Sequence, residues 1–141
     1  MDQQIAVGAL FALKTSNTTV GLIDFLDVAD APLTADFLPL YVQADENATF
    51  DSVLQSLKLQ RERAASSAGM ARDLIQRDPA IRENTRADFA ISTQGAVSKT
   101  AAATLVIEPI GATLFYAGAR LTAKAAALLA ARIEHGFQAA A

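Results

Sequence analysis

Residues 36–43 read Asp36-Phe-Leu-Pro-Leu-Tyr-Val-Gln43, followed by a polar turn, Ala44-Asp-Glu-Asn-Ala-Thr49, and by Phe50-Asp-Ser-Val-Leu-Gln-Ser-Leu57. The first segment predicts a strand covered on both faces, because its bulky apolar residues run almost without a break. Pro39 cannot donate a hydrogen bond to a strand ladder. We therefore expect this end of the strand at an edge of the sheet or at its entry point.

The third segment predicts a helix that runs from Phe50 to about Ser66. Thr49 is a favoured N-cap residue, and the helix dipole favours an acid such as Asp51 in the first turn. Apolar residues repeat at helical spacing, so one face of the helix can pack back on the strand. These apolar residues are Phe50, Val53, Leu54 and Leu57.

The flanking sequence predicts further elements of both kinds. Residues 3–14 favour a helix that is apolar over so much of its circumference that it should be buried on more than one side. We expect strands at Thr19–Leu26, Asp88–Thr93, Ala103–Pro109 and Thr113–Ala117, and a second middle helix at about Met70–Arg77 that ends at Asp78-Pro79. A terminal helix from Thr122 to about Gln138 would bury Ala125, Leu128, Leu129, Ile133 and Phe137.

These elements predict an α/β fold, with a mixed sheet of about five strands and helices packed on it. A chain of 141 residues fits one domain, residues 1–141, and 52% hydrophobic against 19% charged residues is enough apolar material for a core. We expect no membrane span and no signal peptide. We also expect no affinity for nucleic acid, because a net charge of −3 gives no general attraction to it. The absence of cysteine fits a cytoplasmic protein.

The order Leu38-Pro39-Leu40, one acidic turn, Thr49-Phe50 and a long helix resembles the carboxy-terminal lobe of condensation domains of nonribosomal peptide synthetases. Tyr41 stands where that family usually has arginine. A helix before Thr19-Val20-Gly21 is similar to the family's crossover into this lobe, and three late strands before a closing helix follow the family's order. The resemblance implies half of a two-lobe, chloramphenicol-acetyltransferase-like fold.

The family's catalytic motif, His-His-x-x-x-Asp-Gly, belongs to the other lobe, and this sequence has no such motif. The chain has a single histidine, His135, which we interpret as a residue near the carbonyl end of the last helix. We therefore predict no catalytic, cofactor-binding or metal-binding residue. Three acids, Asp24, Asp27 and Asp30, could bind a hard cation, but solvated loop acids are the commoner case.

The middle of the chain is basic, and a solvated surface is the ordinary interpretation of such a segment. The functional interpretation is a landing surface for an acidic carrier protein or for the phosphate of its phosphopantetheine. The residues predicted to form this surface are Lys58, Arg61 and Arg72.

We hypothesise a truncated, non-catalytic condensation-type domain that acts as an interaction or scaffold module beside the adenylation or peptidyl carrier domain of a synthetase. One alternative is half of an amide-forming acyltransferase whose catalytic histidine comes from another chain. Another is a stand-alone small-ligand binding domain. The apolar first helix and the alanine-rich last helix also suggest a homodimer.

Overall fold

The computed structural model describes residues 1–26, 37–66 and 87–141. In chain order the elements are α1 (Asp2–Thr15), β1 (Val20–Phe25), β2 (Leu38–Gln43), α2 (Phe50–Ser66), β3 (Phe89–Ser92), β4 (Ala103–Glu108), β5 (Gly111–Tyr116) and α3 (Ala123–Ala140). This is an α/β structure with a five-stranded mixed sheet and helices packed on it, as the sequence predicts. The expected helix at 70–77, its stop at Asp78-Pro79 and the loop around Pro32 lie outside the described residues.

The sheet has the strand order β2-β1-β3-β4-β5. The three central strands β1, β3 and β4 are parallel to one another, whereas β2 pairs antiparallel with β1 and β5 pairs antiparallel with β4. The two antiparallel strands are therefore the two edges of the sheet. A two-residue turn, Pro109-Ile110, joins β4 to β5, which is the short connection that antiparallel neighbours allow.

Strand β2 lies at an edge, where Pro39 was expected to place it. The expectation that both of its faces are covered is wrong. Leu40 and Val42 are buried, but Tyr41 between them is 49% exposed. An antiparallel edge strand needs to bury only one face, and the side chains of a strand alternate between faces.

Helix α1 is the central helix of the layer that covers one face of the sheet. It contacts α2 on one side, α3 on the other, and strands β1, β3 and β4 beneath it. Its apolar circumference is thus buried on several sides, as expected, and mostly within its own chain. The shared core contains Ile5, Ala9 and Leu13 of α1 together with Ile23, Phe25, Leu40, Val42, Phe89, Ile91, Leu105 and Ile107 of the sheet.

The long helix α2 begins as its sequence predicts. Thr49 Oγ1 accepts a hydrogen bond from the backbone N–H of Ser52 at 3.1 Å, and Ser52 Oγ accepts one from the N–H of Thr49 at 3.0 Å. This reciprocal pair satisfies amide groups that an open helix end would leave without partners. Val53 and Leu57 are buried, and Phe50 and Leu54 pack against them at the edge of the core.

The buried face of α3 differs from the predicted one. Ala126, Leu129 and Ile133 are buried with Phe137 beside them, whereas Leu128 is 53% exposed. Residues 126, 129 and 133 share one stripe of a helix, and residue 128 lies about 100° away from residue 129. Within the described ranges, no helix is long and apolar enough to cross a membrane.

Candidate functional site

A groove runs between helices α1 and α3 on the outer surface of the helix layer. It has a volume of about 480 Å³, and its wall is almost entirely apolar. Phe50, at the start of α2, is one of the residues that line it. The other lining residues are Val7, Leu10, Phe11, Lys14, His135, Gly136, Ala139 and Ala140.

Two polar side chains stand at this groove, Lys14 from α1 and His135 from α3. The ammonium group of Lys14 lies 5.7 Å from the centre of the Phe11 ring, so a cation is held beside the apolar wall. His135 is exposed and lies in the last part of α3, as the sequence indicates. Together these groups suit a ligand that has an apolar body and an anionic end.

The groove does not assemble acid–base machinery from the described residues. A general base needs a positioned partner that fixes its tautomer and its proton. His135 makes no hydrogen bond and no ion pair within the described ranges. The described groups at this surface suit the binding of a ligand.

The second notable group is Asp24, which lies on the opposite face of the sheet from the helices. Its side chain is only 3% exposed, between Pro39 of β2 and Ala90 of β3 in the strand register. Burial raises the pKa of Asp24 from 3.8 to about 7, and a hydrogen bond from the backbone of Ala87 lowers it in part. The Oδ1 atom has no hydrogen-bond partner within the described part of the chain.

Asp24 was expected to be a solvated acid at a strand end, and that expectation is wrong. Asp24 lies between Pro39 of β2 and Ala90 of β3 in the strand register, and its side chain is buried. Its two predicted companions, Asp27 and Asp30, lie outside the described residues. Among the residues that the structure describes, no group of three potential metal ligands comes together.

The polar face near Asp24 is organised by the connection between β3 and β4, residues 93–102. Ser92 Oγ accepts hydrogen bonds from the backbone amides of Gln94 and Ala96, and Thr104 Oγ1 accepts one from Ser98. Both side chains are buried. They therefore fix the connection against the sheet, and the described contacts give them a structural role.

The predicted carrier-docking residues occupy different environments. Lys58 is exposed on α2 beside Leu59, whose side chain is 46% exposed. Arg61 is half-buried: its Nη1 pairs with Asp2 Oδ1 at 2.5 Å, and its guanidinium lies 4.7 Å from the centre of the Phe25 ring. Arg72 lies outside the described residues. Of these three, Lys58 is the one that the described surface presents freely to solvent.

Sequence reasoning missed the burial of Asp24 and the part that Lys14 plays at the groove. The first had no local signal: alternation around Ile23 and Phe25 places Asp24 on the face opposite the core, but it does not predict that this face is covered at Asp24. The second had none, because the neighbour of Lys14 is α3, which lies more than 100 residues away in the chain.

No protein-family model matches the chain, and no curated protein matches it either.

Proposed function

We propose that the chain is a truncated condensation-type lobe that serves as a non-catalytic interaction module beside a carrier or adenylation domain of a synthetase. The observation that carries the proposal is the single histidine of the sequence, His135, in place of the paired histidines that amide formation in the resembled family needs. The setting proposed for this module is the cytoplasm.

The composition of α2 supports a docking role. Lys58 places a mobile cation next to the exposed apolar surface of Leu59, which is a combination that suits an acidic partner surface with an apolar centre. Arg61 is committed to Asp2 and Phe25, so we assign it the role of holding α2 in place. The phosphate of a carrier-bound phosphopantetheine would then meet Lys58 first.

Titration of the chain with a phosphopantetheine-loaded carrier protein, followed by NMR, tests the proposal. We expect shifts centred on Lys58 and Leu59. Lys58→Glu should weaken binding several-fold, because it places like charges opposite each other. Lys124→Glu, a charge reversal at an exposed position on α3, should leave it unchanged. Failure to bind either the carrier or the adenylation domain would contradict the proposed role.

A turnover assay separates this proposal from the acyltransferase alternative. Supplied with aminoacyl and peptidyl carrier substrates, the purified chain should form no amide. Activity of the chain alone that is lost in His135→Ala would overturn the non-catalytic assignment. Activity that appears only with a second chain carrying the paired-histidine motif would favour the split enzyme.

The groove between α1 and α3 supports a second candidate function, the binding of a small ligand. Its apolar wall and the Lys14 ammonium at its mouth fit an anionic amphiphile. A long-chain fatty carboxylate with a fluorescent tail is a suitable probe. We expect Lys14→Glu to weaken its binding, whereas Lys99→Glu, on a distant exposed loop, should not.

A further inference from the structure

The two edges of the sheet differ in their capacity to accept another strand. On β2, the backbone N–H of Ala44 donates a hydrogen bond inward, to the carbonyl of Thr19. Because the backbone groups of successive residues point to alternate sides of a strand, those of Pro39, Tyr41 and Gln43 point away from β1. Pro39 has no N–H, and the Gln60 side chain bonds both the N–H and the C=O of Tyr41, at 2.8 and 2.9 Å. Two of the three outward positions are thus blocked within the chain, and we call this the closed edge of the sheet.

Strand β5 has no such protection. The backbone N–H of Ala117 donates a hydrogen bond inward, to the carbonyl of Ala102. By the same alternation, the backbone N–H and C=O groups of Ala112, Leu114 and Tyr116 point away from β4. None of these outward groups has a hydrogen-bond partner in the part of the chain that the structure describes. The strand reads Gly-Ala-Thr-Leu-Phe-Tyr, without proline or charge. An uncharged, unblocked edge of this kind is a template for another strand.

The outward backbone N–H and C=O groups of one β5 strand are complementary to those of the β5 strand of a second copy. If two β5 strands meet antiparallel about a two-fold axis at Leu114, each strand offers donors and acceptors where the other needs them. In that register Leu114 faces Leu114 of the second copy, and Ala112 faces Tyr116. A small residue then lies opposite a large one, and no two like charges meet across the pair.

A cavity beside β5 supports a second copy as the occupant. It lies between β5 and α3, has a volume of about 380 Å³, and is lined by Gly111, Ala112, Leu114, Glu134 and Phe137, among others. That volume corresponds to roughly a dozen water molecules, so it has room for a phenol ring. Tyr116 is 45% exposed on the same face as Ala112. In the two-fold register, the Tyr116 ring of one copy enters this cavity of the other, where the Glu134 carboxylate can accept the phenol hydrogen.

We propose that two copies of the chain pair through their β5 strands, forming a continuous ten-stranded sheet with Tyr116 of each copy seated beside Ala112 and Glu134 of the other. The inference is independent of the proposed function, because it rests on backbone direction and on the cavity. Two six-residue strands cover a strip only about 20 Å long. We therefore expect a reversible dimer, not an obligate one.

Sedimentation equilibrium with variants of the full chain is the first test. Ala112→Pro removes one outward N–H while leaving the bonds to β4, and the preceding Gly111 has no side chain to clash with the proline ring. We expect it to weaken the dimer at least about tenfold, since two symmetry-related hydrogen bonds are lost. Tyr116→Phe should weaken it several-fold, and Tyr41→Thr, at an exposed tyrosine on the closed edge, should not change it.

Amide hydrogen exchange followed by NMR is the second test. As the concentration rises into the millimolar range, the amides of Ala112, Leu114 and Tyr116 should become protected, whereas those of Thr113 and Phe115 are protected throughout. If Ala112→Pro fails to fold, Tyr116→Thr replaces it. A monomer at every concentration, or a dimer without this alternation, would overturn the proposal. Alternating protection that appears only with an added carrier or adenylation domain would also overturn it, because the strand would then come from another protein.

Discussion

Gly8 of α1 lies directly over Leu105 of β4: a Cβ atom built on Gly8 would be 2.7 Å from Leu105 Cδ2. Leu105 is 2% exposed and cannot move aside into solvent. The approach of the central helix to β4 at this point thus depends on a residue without a side chain.

Gly8→Ala should therefore destabilise the chain although alanine is the better helix former. The substitution gains about 1 kcal/mol of helix propensity, but overpacking a tight core costs about 1–3 kcal/mol. We expect a net loss of stability, measured as a lower urea midpoint. Gly118→Ala is the control, because a Cβ atom at Gly118 would meet nothing within 4 Å. A stabilised Gly8→Ala variant would mean that α1 does not press on β4 at this point.

Leu57 and Leu59 provide a matched pair on α2. Leu57 is 2% exposed in the core, and Leu59 is 46% exposed two residues later. Leu57→Ala should cost about 2–5 kcal/mol through lost burial and the cavity left behind. Leu59→Ala should cost less than about 0.5 kcal/mol, as surface substitutions do. Thermal and urea unfolding measure both. Leu54 is half-buried, so the unfolding midpoint of Leu54→Ala should fall between those of Leu57→Ala and Leu59→Ala. Equal effects at all three positions would show that the buried face of α2 is wrongly assigned.

The buried carboxyl of Asp24 should make stability fall as the pH rises. Its pKa is raised from 3.8 to about 7 in the folded chain, so between these values the folded state holds a proton that the unfolded state has released. Stability from this group is therefore lost progressively from about pH 4 to about pH 7, up to about 4 kcal/mol, and then stays level.

Asp24→Asn removes this dependence while keeping the size of the side chain and an acceptor for the Ala87 amide. We expect little difference from the wild type near pH 4 and a more stable variant at pH 8, measured by urea unfolding across the range. Asp51→Asn, at an exposed position in the first turn of α2, is the control. A pH profile that keeps its slope in Asp24→Asn would place the titrating group elsewhere.

The comparison of β2 with Asp24 shows what periodicity could and could not predict. Pro39 predicted an edge or an entry point of the sheet for its end of the strand, and β2 lies at an edge. Within the described residues, the kind and order of the elements also followed from local patterns. The burial of Asp24 depends on β3, more than 60 residues later, and no local pattern specifies which strand becomes that neighbour. For the same reason, the groove between α1 and α3 and the closure of β2 by Gln60 could not be predicted.

The face of α3 shows the limit within a single helix. Alanine fills so many positions, Ala123, Ala125, Ala126, Ala127, Ala130 and Ala131, that several stripes look alike. Leu128 and Leu129 are neighbours, and only packing against α1 and β5 decides which of them is buried. In a helix rich in small residues, tertiary contacts decide which face of the helix is buried.

Gln60 should limit the size of the assembly that β5 begins. With β2 closed by Gln60, pairing through β5 stops at two copies, whereas a chain with two open edges can add copies without end. Gln60→Ala removes both hydrogen bonds to Tyr41, and we expect a loss of about 1 kcal/mol, because these bonds are exposed. More tellingly, the variant should form species heavier than a dimer in sedimentation velocity, in a concentration-dependent manner.

Gln55→Ala, an exposed glutamine on the same helix, should behave as the wild type. The double variant Gln60→Ala with Ala112→Pro should lose the heavier species, because one edge is closed again. If Gln60→Ala remains a simple dimer, then Pro39 alone is sufficient to block the β2 edge.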